Sequence, residues 1–293
     1  MMAETTDLKS PRRMSRREFL RATALSALGM SGTAIGGAFY MAQVEPDWLN
    51  VSHLALSVRG LPAAFDGYTI AQISDTHLGD WMTRARLSCV IDATLDLEPD
   101  LAVLTGDLVS RINAEVYATI VAEFARFRGR DGGVAILGNH DYWTDAPTVS
   151  AAVIEAGLAL LRNAHRALHR EGGALYIAGI DDVWEEHHDL NATLDGIPAG
   201  APVVLLAHEP DFADEAAADG RVSVQLSGHS HGGQVRLPFV GGFVLPRLGQ
   251  KYPHGYYRVG AMHLYTNVGV GMVRPAVRFL CRPEITLVEL RAA

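Results

Sequence analysis

The sequence predicts an α/β protein built on a mixed sheet system, and three observations carry that expectation. Short apolar runs of strand length recur from Asn50 onward. Between the first of them lie stripes with helical spacing. Several of the runs stop at a carboxylate, amide or imidazole, where open α/β sheets place their ligands. A chain of 293 residues with 48% apolar content can bury a sizeable core. No internal repeat or long low-complexity linker divides it, so one folded domain is expected after a distinct N-terminal segment.

That segment comes first. Residues 1–45 hold Lys9, Arg12, Arg13, Arg16, Arg17 and Arg21 against Glu4, Asp7, Glu18 and Glu45. The sequence Ser15-Arg16-Arg17-Glu18-Phe19-Leu20 contains twin arginines, and residues 22–42 follow without a charge. A basic region before a weakly hydrophobic Gly/Ala/Ser-rich stretch reads as a twin-arginine export signal. Export of the folded chain by that machinery to the periplasm or cell envelope is the expectation. Tyr40-Met41-Ala42 is a poor cleavage site and the uncharged stretch has the length of a bilayer span, so an uncleaved anchor is the other reading. The plainer reading is a basic tail running into a short core helix.

Strands are expected at residues 68–73, 101–104, 134–137, 175–178, 203–207 and 222–226, each a compact apolar run. Leu87, Val90, Ile91, Thr94 and Leu95 mark one helix face, and Tyr117, Ile120, Val121 and Phe124 a second. The last third is rich in Gly and Pro, with strand-like runs at 256–259, 263–267 and 284–290.

Composition excludes several classes of function. Charged residues at 20% and aromatics at 8% do not describe a disordered chain. A net charge of −8 argues against a nucleic-acid coat protein, so no nucleic-acid partner is expected. Two cysteines, Cys89 and Cys281, cannot build a disulfide scaffold or a thiolate zinc site.

The chemistry lies at the strand ends. Asp75-Thr76-His77, Gly106-Asp107, Gly138-Asn139-His140-Asp141, His208-Glu209-Pro210 and Gly228-His229-Ser230-His231-Gly232-Gly233-Gln234 each follow an apolar run. Any one is ordinary turn chemistry, since a lone His or Gly-Asp is common on a surface. Five in succession point to a cation site. Residues i and i+2 leaving a strand share a direction, so Asp75 and His77 can grip one ion. His229 and His231, at a turn flanked by glycines, can reach two neighbouring ions. Asp107 has two oxygens with which to bridge, and Asn139 offers a neutral oxygen. Nitrogen and oxygen donors without thiolate suit Mn, Fe or Zn.

These motifs, in this order, resemble the calcineurin-like metallophosphoesterases. Leu161-Arg162-Asn163, Ala178-Gly179-Ile180-Asp181-Asp182, His208-Glu209-Pro210-Asp211 and Pro283-Glu284-Ile285-Thr286-Leu287 look like its exported or membrane-anchored bacterial phosphodiesterase branch. Some members of that branch and its relatives hydrolyse the pyrophosphate of UDP-2,3-diacylglucosamine, a step of lipid A biosynthesis. The resemblance spans residues 50–290 and implies a four-layer α/β/β/α sandwich of two mixed sheets flanked by helices, with residues 46–293 as the catalytic domain.

Carried over by position, the resemblance gives two divalent metal ions. Asp75, His77, Asp107 and His231 hold one; Asp107, Asn139, His208 and His229 hold the other. His140 is implied as a non-ligand catalytic residue that stabilises the phosphoryl oxygens or protonates the leaving oxygen. Asp141 either orients it or caps a helix. Two ions sharing a water make hydroxide near neutral pH, which attacks phosphorus in line. No nucleophilic serine is needed, and Ser230 reads as a small turn residue. Phosphoprotein phosphatases of this superfamily carry a second aspartate soon after Gly-Asp; Leu108-Val109-Ser110-Arg111 stands there instead, which argues against a dedicated protein phosphatase.

The substrate is less constrained. Trp81, Trp143 and Trp184 fall on loops after site strands, and residues 237–245 form an apolar stretch. The stretch reads either as loop packing or as a rim for a lipid-linked phosphoester. Arg84, Arg111, Arg236 and Arg274 are phosphate-binding candidates, each equally at home as a surface ion pair. Lys251 is the only lysine after Lys9. The leading expectation is a phosphodiesterase or pyrophosphatase. A broad phosphomonoesterase or nucleotidase is the alternative, and a non-enzymatic envelope protein stabilised by metal is the third reading.

Overall fold

The structure is a computed structural model, and its described residues are 15–293. Lys9, Arg12 and Arg13 of the basic region lie outside them. Helix α1 (Arg16–Phe39) holds both arginines of the pair, and Tyr40–Val44 continues it as one π-helical turn. Among the described residues no helix is long and apolar enough to cross a membrane. The folded body takes hold at this turn. Met41 O accepts the backbone N–H of Arg278 at 2.9 Å, and the buried Glu45 accepts that of Cys281.

Two six-stranded sheets follow. The first runs β1 (Asn50–Val58), β14 (Glu284–Ala292), β2 (Tyr68–Ile73), β3 (Leu101–Thr105), β4 (Gly133–Ile136), β5 (Ala159–Leu160). The second runs β12 (Gly255–Val259), β13 (Met262–Thr266), β9 (Val224–Ser227), β8 (Val203–Leu206), β7 (Gly173–Gly179), β6 (Ala164–Arg170). Both are mixed: β2, β3 and β4 pair in parallel while β14 meets β2 antiparallel, and β7, β8 and β9 pair in parallel while β6 and β12 are antiparallel edges.

Side-chain alternation builds the layers. Leu101 and Val103 point between the sheets and meet Val204, Leu206 and Leu226; Ala102 and Leu104 point outward to the helices. On that outer face lie α2 (Arg84–Leu95), α3 (Ala114–Phe124) and α4 (Asn139–Glu155), with Leu87, Ile91, Ile120, Phe124 and Val153 buried. Val203 and Leu205 face the opposite side, against α5 (Leu190–Leu194) and α6 (Ala213–Asp219). The result is the four-layer α/β/β/α sandwich. Thr83 and Asn113 start α2 and α3 by accepting the backbone N–H groups of Arg86 and Val116. In α4 the backbone leaves helical geometry at Asp145, whose carboxylate recaps the chain on Thr148 just past Pro147.

Candidate metal centre

All seven candidate ligands converge at one edge of the sandwich. Asp75 and His77 follow β2, Asp107 follows β3, and Asn139 opens α4 after β4. From the second sheet come His208 after β8 and His229 and His231 after β9. Asp75, His77 and His231 form one cluster of ligand atoms lying within 4.8 Å of one another, and Asp107, His208 and His229 form another. A third such set, His77, Asp107 and His140, lies between them. Every candidate ligand is buried, while the His140 side chain is half-buried.

The local backbone is unusual. Asp75, His77, Asp107, His229 and His231 all have φ between +47° and +69°. Left-handed conformations cost an L-residue about 1–2 kcal/mol each, and their concentration here marks a site that the surrounding fold over-determines. Glycines admit the close approach. A Cβ on Gly106 would stand 2.5 Å from His208 Nδ1, and one on Gly138 would stand 2.5 Å from Asp107 Oδ1.

Hydrogen bonds on the far ring nitrogens set the tautomers. His208 Nδ1–H donates to Thr105 O at 2.7 Å, which turns Nε2 toward Asp107 Oδ2 at 3.2 Å. His229 does the reverse: its Nε2–H donates to Arg247 O at 2.8 Å and Nδ1 is left for the site. The Nε2 atoms of His77 and His231 stand 3.0 Å apart, with Asp75 Oδ1 at 3.3 Å from His231 and Asp107 Oδ2 at 3.6 Å from His77. Two ligands about 2.1 Å from one ion, at right angles, stand about 3 Å apart, so this donor set fits divalent cations. The buried Asn139 Oδ1 has no hydrogen-bond partner, as a ligand atom held for an ion would not.

Electrostatics agree with that fit. Burial pushes His77 down to about 3, and burial with the neighbouring His77 holds His231 well below its ordinary value. Both rings are neutral donors at neutral pH. Burial drives Asp75 up to about 7, a carboxylate that needs a positive partner. Burial also works against charge on Asp107 and His208, but their mutual attraction outweighs it, lowering the acid and raising the imidazole.

The neighbours sort themselves. His140 donates its backbone N–H to Asp107 Oδ1 at 2.8 Å, and its ring stands edge-on to His77 with a centroid distance of 4.7 Å. Asp141 spends its carboxylate on backbone. Oδ1 accepts Leu108 and Val109 N–H at 2.9 and 3.1 Å, and Oδ2 accepts Gly138 N–H at 3.0 Å. Of the two readings of Asp141, the cap is the one its contacts match. Ser230 Oγ accepts the Gly232 N–H inside its own turn.

A cleft of about 440 Å³ opens over the ligands, lined by Asn139, His140, Trp143, Trp184, His229 and His231 together with Phe243, Val244, Leu245 and Pro246. Trp143 and Trp184 therefore face the site. Trp81 does not: it packs on the helical layer under Arg86, whose guanidinium lies 4.2 Å from its ring. Of the candidate arginines only Arg274 lines the cleft, paired with Asp80 at 2.8 Å; Arg84 is paired with Glu123 and Lys251 with Asp214. The sequence reading missed Arg278. Its fully buried guanidinium donates to the carbonyls of Val268, Gly269, Gly271 and Cys281. That fixes the loop whose Val270 and Gly271 N–H groups bind Ser74 O and Asp75 O. No local spacing signals a residue so far along the chain.

The sequence matches the family described as calcineurin-like phosphoesterase over residues 68–233. It is 35% identical over 286 residues to an uncharacterized metallophosphoesterase, YkuE, of Bacillus subtilis, covering 96% of this chain and 99% of that one. It is 29% identical over 283 residues to the phosphodiesterase YaeI of Escherichia coli, covering 94% and 99%. A transmembrane protein with metallophosphoesterase domain from Danio rerio is 29% identical over 93% of this chain and 63% of its own length.

Proposed function

Because the chain belongs to the calcineurin-like phosphoesterase family, and with it to the hydrolases of phosphoric esters, we propose that it cleaves a phosphodiester or pyrophosphate bond at a two-metal centre. Asp75, His77, Asp107 and His231 would hold one ion, and Asp107, Asn139, His208 and His229 the other. The single observation that carries this reading is the position of Asp107. Its Oδ2 faces His77 on one side and His208 on the other, at 3.6 and 3.2 Å. Bound there, the ions would supply Lewis acidity and an activated water.

The chain's own residues supply the rest. Neutral His77 and His231 donate lone pairs without adding charge, so the acids Asp75 and Asp107 carry the charge balance. Asn139 gives an oxygen without a third negative charge near the phosphoryl group. His140 lines the cleft beside the ligands, placed to hydrogen-bond a phosphoryl oxygen or to give a proton to the leaving oxygen. Asp141 holds the Gly138 and Leu108 turns that carry Asn139 and Asp107.

The apolar part of the cleft lining, Phe243, Val244, Leu245 and Pro246 together with Trp143 and Trp184, supports a substrate with a large apolar arm, such as a lipid-linked diester or a UDP-diacylglucosamine-type pyrophosphate. The relative named a phosphodiesterase and the relatives named transmembrane proteins support the same reading, and the twin-arginine sequence supports work in the envelope. Metal-loaded protein should hydrolyse bis-p-nitrophenyl phosphate faster than p-nitrophenyl phosphate, and release a water-soluble product from an envelope lipid phosphate. Preference for the monoester would replace this reading with a phosphomonoesterase. A metal-replete sample inert on both esters would overturn the two-metal reading.

A further inference from the structure

We propose that the hairpin of β10 (Arg236–Leu237) and β11 (Gly241–Gly242) is the face by which the protein sits on an anionic lipid surface, with the mouth of the metal cleft opening beside it. Around its tip Phe239, Val240, Phe243 and Val244 are 108, 68, 62 and 69% exposed. Four large apolar side chains in six residues form a contiguous patch of the kind that marks an interaction surface. Two two-residue strands cannot fold it away, and Phe239 at φ +67° sits in a left-handed turn that projects its ring outward.

Charge identifies the occupant. Between Asp219 and Glu284 the sequence has no acidic residue and eight Lys or Arg, in a chain whose net charge is −8; Arg278 is buried and Arg221, Lys251 and Arg274 are ion-paired, so Arg236, Arg247, Arg258 and Arg282 carry the excess. Arg236 and Arg247 bracket the hairpin, and Arg274, tied to the acid Asp80, lines the same cleft as Phe243 and Val244. A second copy seated symmetrically on this face would bring like charges together, whereas acidic lipid headgroups complement it.

The chain path points the same way. Helix α1 carries exposed Phe19, Leu20, Ile35 and Phe39 after Arg16 and Arg17. It ends against the base of the hairpin. The Tyr40 ring stands edge-on to Phe279 at 6.4 Å, and Phe279 O accepts the Arg236 N–H at 2.9 Å. Two exposed apolar elements thus meet at one edge of the molecule. Because Phe243, Val244 and Leu245 also wall the cleft above His229 and His231, a phosphoester could reach the ligands with its acyl part still in the lipid. That last step rests on the esterase reading, while the docking does not.

The test uses the full chain and flotation with vesicles of phosphatidylcholine plus phosphatidylglycerol, or of phosphatidylcholine alone. Wild type should float with the anionic vesicles and lose this at high salt. F239D/V240D, at the tip and outside the cleft lining, should lower partitioning at least about tenfold, from the apolar burial lost. Its hydrolysis of bis-p-nitrophenyl phosphate should stay unchanged. I154D, which alters an exposed apolar residue on α4, should float as wild type does. Equal flotation of F239D/V240D and wild type would overturn the proposal, as would no flotation of wild type. Lipid-free self-association of wild type that F239D/V240D abolishes would overturn it in favour of a second copy. Inactivity of wild type on the soluble diester would sink the esterase reading and leave the docking result standing.

Discussion

His77 and His231, 154 residues apart in sequence, present their Nε2 atoms to each other at 3.0 Å. Both rings are buried and held neutral by that burial. Without an ion the pair can at best share one proton, whereas a cation can take both lone pairs, so chelation should abolish hydrolysis and lower Tm. Re-addition of metal should reverse both. At a concentration one hundred times its Kd, an ion that binds only the folded state adds about 2.7 kcal/mol. Asp107→Ala should bind fewer ions than His231→Ala by elemental analysis, since Asp107 faces both clusters. Equal ion content in the two variants would remove Asp107 from its bridging position.

His140→Ala should keep the metal content of wild type and lower kcat by at least about 10²-fold, the usual scale of general acid catalysis. Turnover near wild type in a fully loaded sample would show that the ring takes no part in the reaction.

Asp141→Asn is expected to destabilise the folded state by about 1–3 kcal/mol, because one of three buried N–H groups would then face an amide NH2. Thermal denaturation of the metal-free protein reads this directly. An unchanged Tm would mean that the Gly138 and Leu108 turns hold without their carboxylate.

Asp182 gives a pH-dependent prediction. Burial first, and then the nearby Glu209, push its carboxyl up to about 9. The folded value lies above the unfolded one, so its contribution to stability is full below pH about 4 and is lost as pH rises through about 9. Asp182→Asn, which mimics the protonated form, should therefore flatten the fall in Tm between mildly acidic and alkaline pH. A parallel fall in wild type and variant would place the titration elsewhere.

Arg278→Met should lower Tm more than any surface substitution, because it strips buried carbonyls at Val268, Gly269 and Gly271 of their donor. Arg278→Lys, with fewer donors and no planar fork, should recover only part of the loss.

What the sequence made legible follows from how local each signal is. The run at 68–73 coincides with β2 because a central strand buried on both faces is continuously apolar. By contrast β1 alternates between half-buried and exposed residues at the sheet edge, and its pairing with β14 joins residues more than 230 apart. Its local signal is only the alternation of Leu54, Leu56 and Val58 with His53, Ala55 and Ser57, weaker than an unbroken apolar run. Helix α4 was hidden by its own site residues, since Asn139, His140 and Asp141 look like loop chemistry yet form its first turn. The ligands were legible because each is tied to the end of an apolar run. Arg278 was not, because its role depends on carbonyls gathered by tertiary folding. The cleft wall was legible as an apolar stretch at 237–245, but its division into a tip facing solvent and a wall facing the metals is a matter of hairpin geometry.

The ligand set has a mechanical consequence. Asp75, His77, Asp107 and Asn139 hang from one sheet, while His208, His229 and His231 hang from the other. Cations there would act as rivets across the seam of two half-shells, beside the hydrogen bonds that His208 Nδ1–H, the His229 N–H and Gln72 Nε2 already send across it to Thr105 O, the Asp75 carboxylate and Ser227 O. Stripping them should loosen the seam from the catalytic end inward. Amide exchange would then quicken first along the His208 and His229 turns, while the central strands, far from the rim, keep their protection.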